Sequence, residues 1–182
     1  YPFFDSTSWV VGKSKSGTNP DGLIPGTADW LYYGDDYGPI VAVDMGGRTG
    51  TIGGYDSGFT TLEPWGFRGT LVKNGTLRIS QCFSGPRFTA HAIDGGTILH
   101  DTTAVTQTGR GDAQSYWVAE DGGTIDLKGE ISFVSMQSLC KAGGTFNLDL
   151  DVFAMHKDCT GSRPETYFKN YGTFNMPHGL AL

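Results

Sequence analysis

Tyrosines and aspartates are concentrated in one short stretch, LYYGDDYGP, at residues 31–39. Aromatic rings stack on the faces of sugars, and adjacent carboxylates accept hydrogen bonds from sugar hydroxyls, so this stretch has the chemistry of a glycan platform. A glycine-rich turn packed with tyrosines explains the same residues without a ligand. The candidate glycan-binding residues are Trp30, Tyr32, Tyr33, Asp35, Asp36 and Tyr37.

Metal binding is the second chemistry that these residues suggest. Asp35 and Asp36, taken together with Asp44, offer the oxygen ligands that Ca²⁺ prefers. Their spacing does not match a calcium-binding loop, and the four histidines show no spacing typical of metal ligands. We therefore expect no metal and no other cofactor, with Ca²⁺ as the alternative.

Catalysis is suggested by three further aspartates, Asp126, Asp149 and Asp151. If successive strands stack in parallel, these residues lie on one outward face. Two carboxyl groups about 5 to 9 Å apart can carry out acid/base catalysis on a polysaccharide. Solvated surface residues are the simpler explanation, and the sequence has no serine or cysteine nucleophile motif. We expect a binding or assembling protein. The alternative is a polysaccharide hydrolase or lyase whose carboxylates come from Asp35, Asp36, Asp126, Asp149 or Asp151.

A repeated phrase supplies the elements that must position these residues. It occurs as DGGTILH, DGGTIDLKG and AGGTFNLDL, and in looser form as NGTLRIS and YGTFNMP. When the glycine before each threonine is used as the marker, the intervals are 25, 21, 27, 21 and 28 residues. One coil of a β-solenoid needs about this length, because it contains two or three strands of roughly five residues and their turns. The markers are Gly50, Gly75, Gly96, Gly123, Gly144 and Gly172.

Within each phrase the side chains alternate in polarity. With each threonine facing outward, the inward positions are almost all large and apolar, as one face of a stacked strand requires. The predicted fold is all-β, a parallel β-solenoid or β-helix. An antiparallel β-sandwich or jelly roll, in which turn signals also recur, is the alternative. The inward residues are Leu77, Ile79, Ile98, His100, Ile125, Leu127, Phe146, Leu148, Phe174 and Met176.

The outward threonines of the five phrases form a column in this arrangement. Such a ladder of hydroxyls stabilises stacked turns, and a flat array of threonines is also a surface that orders water. The column consists of Thr76, Thr97, Thr124, Thr145 and Thr173.

The chain is predicted to form a single all-β domain over residues 1–182. Residues 1–22 provide an N-terminal strand and its tether, residues 23–68 an irregular aromatic-rich segment, and residues 69–182 the Gly-Thr repeat. IVAVDM, at residues 40–45, is a predicted strand because it is rich in β-branched residues. ISFVSMQSLCKA, before Gly143, is also predicted as a strand, with a short helix as the alternative.

The apolar N-terminal sequence YPFFDSTSWVVG precedes a Ser-, Gly- and Asn-rich stretch that predicts an exposed linker. A solenoid end is an open sheet edge, which natural proteins either cap or use for pairing. This segment either caps its own solenoid or adds as a strand to the next copy, which would give self-association. The candidate assembly residues are Phe3, Phe4, Trp9, Val10 and Val11.

The three cysteines lack the close paired spacing of a zinc or redox motif. One disulfide is the first interpretation, and Cys140 with Cys159 is the nearer pair in sequence. Stacking of coils also allows Cys82 to lie close to Cys140, and three reduced thiols are the remaining alternative.

The charge balance limits the possible partners. A net charge of −6 and an isoelectric point near 5.0 disfavour nucleic acid and anionic membrane surfaces. The sequence has no run of eighteen or more apolar residues, so no membrane-spanning helix is expected.

The Gly-Gly-Thr phrases between Asp94 and Leu150 resemble the strand starts of secreted bacterial β-helix proteins, such as autotransporter passenger domains and phage tail proteins. The resemblance covers residues 69–176 and concerns the class of fold. It implies an extracellular protein, at a cell or virion surface, that serves in adhesion, self-association or contact with glycans. It assigns no catalytic residues to this chain.

Overall fold

The structure is a computed structural model that describes residues 1–9, 18–32, 40–56, 68–84, 88–108, 115–134, 136–156 and 167–176. In this part of the chain almost all regular structure is β, and the strands form two sheets whose recorded strand pairs are all parallel. Sheet A has the order β12-β10-β8-β6-β4-β2, and sheet B has the order β1-β3-β5-β7-β9-β11-β13. The chain therefore alternates between the sheets and advances by one strand in each, which confirms the predicted parallel β-solenoid.

The strands of sheet A are short and those of sheet B are mostly long. Sheet A consists of β2 (Ile40–Asp44), β4 (Arg68–Lys73), β6 (Phe88–Ala92), β8 (Ser115–Ala119), β10 (Met136–Cys140) and β12 (Tyr167–Asn170). Sheet B consists of β1 (Trp30–Tyr32), β3 (Thr49–Asp56), β5 (Gly75–Ser84), β7 (Gly96–Thr108), β9 (Thr124–Val134), β11 (Thr145–His156) and β13 (Thr173–Asn175). The window ISFVSMQSLCKA lies in β9 and β10, so its prediction as strand is confirmed.

The threonine column sets the register of sheet B. Each predicted threonine lies opposite the next, as the sequence pattern requires. The first coil differs from the repeat interval predicted from the sequence, because Thr49 rather than Thr51 lies opposite Thr76. The first interval is therefore 27 residues instead of 25, and Gly50 occupies an inward position. The column contains Thr49, Thr76, Thr97, Thr124, Thr145 and Thr173.

The two sheets contribute differently to the core. Sheet B supplies large inward side chains, among them Leu77, Ile98 and Phe146, all fully buried. Sheet A supplies mainly small ones, and its large exception, Trp117, packs edge-on against the His100 ring of sheet B, with 6.5 Å between ring centroids. The buried small residues of sheet A are Val43, Thr70, Val72, Ala90, Ala92, Ala119, Ser138 and Cys140.

Two glycines shape each full corner between the sheets, for different reasons. In the corner before β9, Asp121 and Gly122 both have positive φ, 47° and 81°, and the N–H of Gly123 donates to the carbonyl of Glu120 at 2.8 Å. This is the pattern of a two-residue turn that Asp-Gly favours. Gly123 is needed for space, because a Cβ there would overlap the carbonyl of Ala92 in the preceding coil. The coils can stack only where this position has no side chain.

The N-terminal segment completes the first coil instead of forming a strand. Pro2 bridges to Asp44 of β2, and Ser6–Ser8 form a 3₁₀ turn capped by the Asp5 carboxylate, so the described residues 3–9 do not form the predicted strand. The Phe3 ring fills the space that a side chain at Gly50 would take, and Phe3 is 1% exposed. Phe3 thus takes the place in the core that Leu77 takes in the next coil.

The solenoid also begins earlier than predicted. Strand β2, which coincides with the predicted strand IVAVDM, and strand β3 already lie in the two sheets and pair in register with β4 and β5, although both precede residue 69. Among the described residues, no helix is long and apolar enough to cross a membrane.

Candidate functional site

The outward side of sheet B carries the densest set of aligned polar side chains in the described coils, and we call it the polar face. Threonine, asparagine and charged residues alternate along its strands with the buried core residues. The polar face consists of Thr76, Arg78, Ser80, Thr97, Asp101, Thr124, Asp126, Lys128, Thr145, Asn147 and Asp149. The parallel register places equivalent residues of this face about 4.8 Å apart from coil to coil.

Charges on the polar face compensate one another. The Arg78 guanidinium donates to the Asp101 carboxylate at 2.7 Å. Lys128 lies opposite Asp101 on one neighbouring strand and opposite Asp149 on the other. Toward the C-terminal coils, the Asn175 amide donates to Asn147 at 2.8 Å. The face therefore presents hydrogen-bond donors and acceptors together, with little excess charge.

Asp126 and Asp149 lie on this face as the sequence predicted. Burial raises the pKa of Asp126, and the nearby Asp149 and Asp101 carboxylates raise it further, against the effect of Lys128. Strand spacing and residue rise place the Cα atoms of Asp126 and Asp149 about 8 Å apart. Asp151 lies at the register shift between Leu150 and Val152 in β11, and its side chain lies outside the described residues.

Trp30 belongs to the same face, at its N-terminal edge. Trp30 is 38% exposed, and its indole nitrogen lies 3.3 Å from the position that a Cβ on Gly53 would take. Of the other predicted glycan residues, Tyr32 ends β1, while Tyr33, Asp35, Asp36 and Tyr37 lie outside the described residues. The predicted cluster is therefore represented here by Trp30.

Asp44, the described member of the calcium alternative, is used within a corner. Its carboxylate accepts hydrogen bonds from the Gly46 N–H and the Asn74 amide, and Lys73 lies 3.5 Å away. The hydrogen bond from Gly46, followed by the one from Asn74, lowers the pKa of Asp44. No group of three or more His, Cys, Asp or Glu side chains suited to a metal occurs in the described part of the chain.

The assembly candidates Phe3, Phe4 and Trp9 contact their own chain. Phe3 packs edge-on against both Phe4 and Trp9, and the Trp9 indole donates to the Phe3 carbonyl at 2.8 Å. The Arg48 guanidinium lies 3.6 Å above the Phe4 ring. Within the described residues, this segment covers the first coil of its own solenoid. Val10 and Val11 lie outside the described residues.

Cys140 is a buried free thiol in the described part of the chain, and the bridge to Cys159 stays a prediction. Its sulfur lies 3.3 Å from the Gly144 carbonyl and 3.4 Å from that of Thr173, so it fills a small core position beside the next corner. Burial raises the pKa of Cys140, which keeps the thiol protonated at neutral pH. Cys159 and the side chain of Cys82 lie outside the described residues.

One charged cluster on the outward side of sheet A escaped the sequence analysis. Glu120 lies 2.7 Å from His91 and 2.6 Å from Lys141, across three neighbouring strands. Burial lowers the pKa of His91 more than the Glu120 charge raises it, so Lys141 is the cationic partner of Glu120 near pH 7. The register of sheet A, which the phrase did not reveal, is the signal that brings these residues together.

Comparison with protein families, with curated proteins and with solved structures finds no match for this chain. The resemblance to secreted β-helix surface proteins therefore stays a prediction.

Proposed function

We propose that this protein is an extracellular structural or adhesive surface component whose solenoid binds a glycan along the polar face. The observation that supports this proposal best is the shared register of polar side chains across β5, β7, β9 and β11, which Leu99 of β7 interrupts at one outward position. A rigid row of equivalent hydrogen-bonding groups suits a polymer whose own hydroxyls repeat along its length. The exposed ring of Trp30 at the edge of the row adds a stacking surface.

Binding to a glycan panel tests the proposal. The double variant Thr97→Val/Thr124→Val removes two hydroxyls of the polar face and preserves the β-branched shape that the strands favour. We expect it to bind at least several-fold more weakly than the wild type. Lys141→Ala, an exposed change on the other sheet, is the control that retains binding. Equal binding by the double variant and the wild type would exclude the polar face.

The surface location has its own test. Antibodies raised against the folded domain are expected to label intact source cells or virions without permeabilisation. Labelling that appears only after permeabilisation would remove the extracellular and adhesive parts of the proposal.

Self-association is the second part of the proposal, with addition of the N-terminal segment between copies as its route. Phe3, Phe4 and Trp9 pack against their own first coil, so such addition first requires their release. Light scattering over a range of concentrations, for the wild type and for Phe3→Ala, measures this directly. If the N-terminal segment adds to the next copy, the wild type should associate. Phe3→Ala should associate less, because the ring that would anchor the added segment is lost. A wild type that stays monomeric throughout would exclude it.

A polysaccharide-acting enzyme is the second candidate function, and the raised pKa of one carboxyl group with a second carboxyl group nearby favours it. Burial and neighbouring carboxylates raise the pKa of Asp126, as a general acid requires, and Asp149 lies one strand away on the same face. Release of reducing sugars or unsaturated products from a polysaccharide panel is the test. Activity that Asp126→Asn abolishes supports catalysis, whereas an inactive wild type that binds the same polysaccharides leaves binding alone.

A further inference from the structure

The N-terminal edge of the polar face contains a small set of groups that the sequence pattern did not connect. The Trp30 indole nitrogen lies 3.3 Å from the position that a Cβ on Gly53 would take, and Trp30 pairs with Gly54, whose partner in the next coil is Cys82. We call Trp30, Gly53, Ser80 and Gln81 the Trp30 subsite. We propose that the Trp30 subsite binds one sugar unit of a neutral polysaccharide that runs along the polar face. This inference rests on the proposed function and narrows its ligand.

Gly53 creates the space for the Trp30 subsite. A Cβ at this outward position would come within 3.0 Å of the carbonyl oxygens of Thr27 and Asp29, and within 3.3 Å of the Trp30 indole nitrogen. In later coils the outward positions carry side chains. The missing side chain in the first coil therefore lets residues 27–30 lie against the sheet, where they support the tryptophan.

Hydrogen bonds to the next coil hold this segment in place. The Thr27 carbonyl accepts from the Ser80 hydroxyl and from the Gln81 amide, each at 3.3 Å, and the Gly53 N–H donates to the Asp29 carbonyl at 2.8 Å. Ser80 also donates toward the Ile52 carbonyl at 2.9 Å. A tryptophan on a fixed support loses little conformational freedom when a ligand stacks on it, which favours binding.

The aromatic ring in the Trp30 subsite is partly exposed while its neighbours are polar. Trp30 is one of few large apolar side chains in the described residues that are more than a third exposed, and Gln81, which donates to the Thr27 carbonyl three residues before Trp30, is also exposed. A sugar ring combines an apolar face with hydroxyls at its rim. Stacking on the indole and hydrogen bonding to the amide are the two contacts that such a ring needs.

The charges next to the Trp30 subsite indicate a neutral polymer. Beyond Ser80, the polar face continues with Asp101, which is paired with Arg78, and then with Lys128 between Asp101 and Asp149. With Asp126 included, carboxylates outnumber cations on this face, and the chain carries a net charge of −6. The small excess of carboxylates disfavours a polyanionic polysaccharide, whereas hydroxyls can both donate to and accept from these alternating groups.

The test compares a soluble neutral β-glucan with alginate, a polyuronate, as probes for the full chain. Retardation in gels that contain the polysaccharide gives relative affinities, and far-UV circular dichroism checks the fold of each variant. We expect Trp30→Ala to weaken binding to the neutral glucan about tenfold, the scale of one lost aromatic stacking contact. Trp30→Phe is expected to stay within about threefold of the wild type, because it keeps a stacking ring. Tyr171→Ala removes another exposed aromatic, 70% exposed, and is expected to change nothing.

Different failures have different meanings. If Thr97→Val/Thr124→Val weakens binding while Trp30→Ala binds like the wild type, the polar face binds glycan but the Trp30 subsite is excluded. Stronger binding of alginate than of the neutral glucan would overturn the assigned ligand class. Failure of the wild type to bind either probe or any member of the glycan panel would overturn the proposed function, and the Trp30 subsite with it.

Discussion

The two sheets of this solenoid pair strands in the same parallel way, yet they are built from different residues. Sheet A has short strands, small inward side chains and an outward side where apolar residues lie beside the Glu120 cluster. Sheet B has mostly long strands, large inward side chains and the polar face. Sheet A therefore determines how closely coils stack at the corners, while sheet B fills the core and supplies the surface that we propose binds ligand.

The difference between the two sheets separates two requirements that usually compete, those of a binding surface and those of close stacking. A binding surface benefits from exposed polar and aromatic groups, whereas close stacking requires small residues and strict backbone geometry. Because the corner glycines meet the carbonyls of sheet A, the outward positions of sheet B are left to vary. Threonine recurs in one outward column, while the next contains Arg78, Leu99, Asp126 and Asn147.

Substitution of a corner glycine that meets a carbonyl of sheet A should cause the largest loss of stability. Gly123→Ala places a methyl group against the Ala92 carbonyl of sheet A, so we expect a loss of about 3 kcal/mol or more in the free energy of unfolding. Urea denaturation measures this loss, and failure to obtain soluble protein would be its extreme form. The adjacent Gly122→Asn is the matched control, because asparagine tolerates positive φ and the site is open; it should lose about 1 kcal/mol or less. Equal effects at the two glycines would contradict the assignment of separate roles.

The first coil shows the same difference between the sheets. Phe3 is held at the edge of sheet A, yet its side chain fills a core position of sheet B. Phe3→Ala should lower the free energy of unfolding by about 3 to 5 kcal/mol. Gly50→Leu should also destabilise, because its side chain overlaps the Phe3 ring. The double variant Phe3→Ala/Gly50→Leu restores a side chain like Leu77 and should be more stable than either single variant. Simple addition of the two losses in a double-mutant cycle would exclude this account.

His100 lies in the core where the two sheets contact each other, so its protonation should affect the stability of the fold. Burial lowers the pKa of His100 to about 4, so between the unfolded value near 6.5 and pH 4 the unfolded chain binds more protons. The wild type should therefore lose stability as pH falls through this window, by an amount on the order of 3 kcal/mol from this group. His100→Leu, which matches the neighbouring Leu127, should remove that part of the pH dependence. Parallel stability curves for the two proteins would refute the assignment.

Removal of the outward ion pairs should cause the smallest losses of stability. The loss should be larger for the pair on sheet A than for the pair on sheet B. Glu120→Gln removes a partly buried partner of Lys141 on sheet A and should cost less than about 1 kcal/mol at pH 7. Arg78→Ala breaks a pair on sheet B whose side chains are both more than 40% exposed, and should cost about 0.5 kcal/mol or less. Thermal unfolding of each variant at low and high salt measures the two losses. A larger loss for Arg78→Ala would reverse the expected order.

The sequence predicted the repeated coils well, because alternation and the Gly-Thr phrase are local properties of each strand. The threonine register, the inward residues of sheet B and the strand at Met136–Cys140 all follow from that pattern. The first coil was misaligned by two residues. At Thr49 the preceding residue is Arg48 instead of glycine, and the inward position is empty because Phe3 fills it from a distant part of the chain.

The candidate site was less predictable for the same reason. Trp30 was identified by its chemistry, but its placement depends on Gly53 and on hydrogen bonds to Ser80 and Gln81, about fifty residues away. The Glu120 cluster likewise requires the register of three strands of sheet A. Periodicity within one strand carries no information about either contact.

The connections between the sheets have unequal lengths, and this sets where the molecule tolerates new sequence. From each strand of sheet A to the next strand of sheet B there are 1 to 4 residues, whereas the return connections vary from 1 to 11. The corners from sheet A to sheet B are held by glycines, so coil length changes instead in the return connections and at the register shifts within the strands of sheet B. The strand ends that flank these connections, such as Ser84 with Phe88 and Thr108 with Ser115, follow one another from coil to coil, so peptides inserted between them would be tethered at intervals set by the coil spacing. The solenoid is in that respect a ready scaffold for displaying several foreign loops in a defined order.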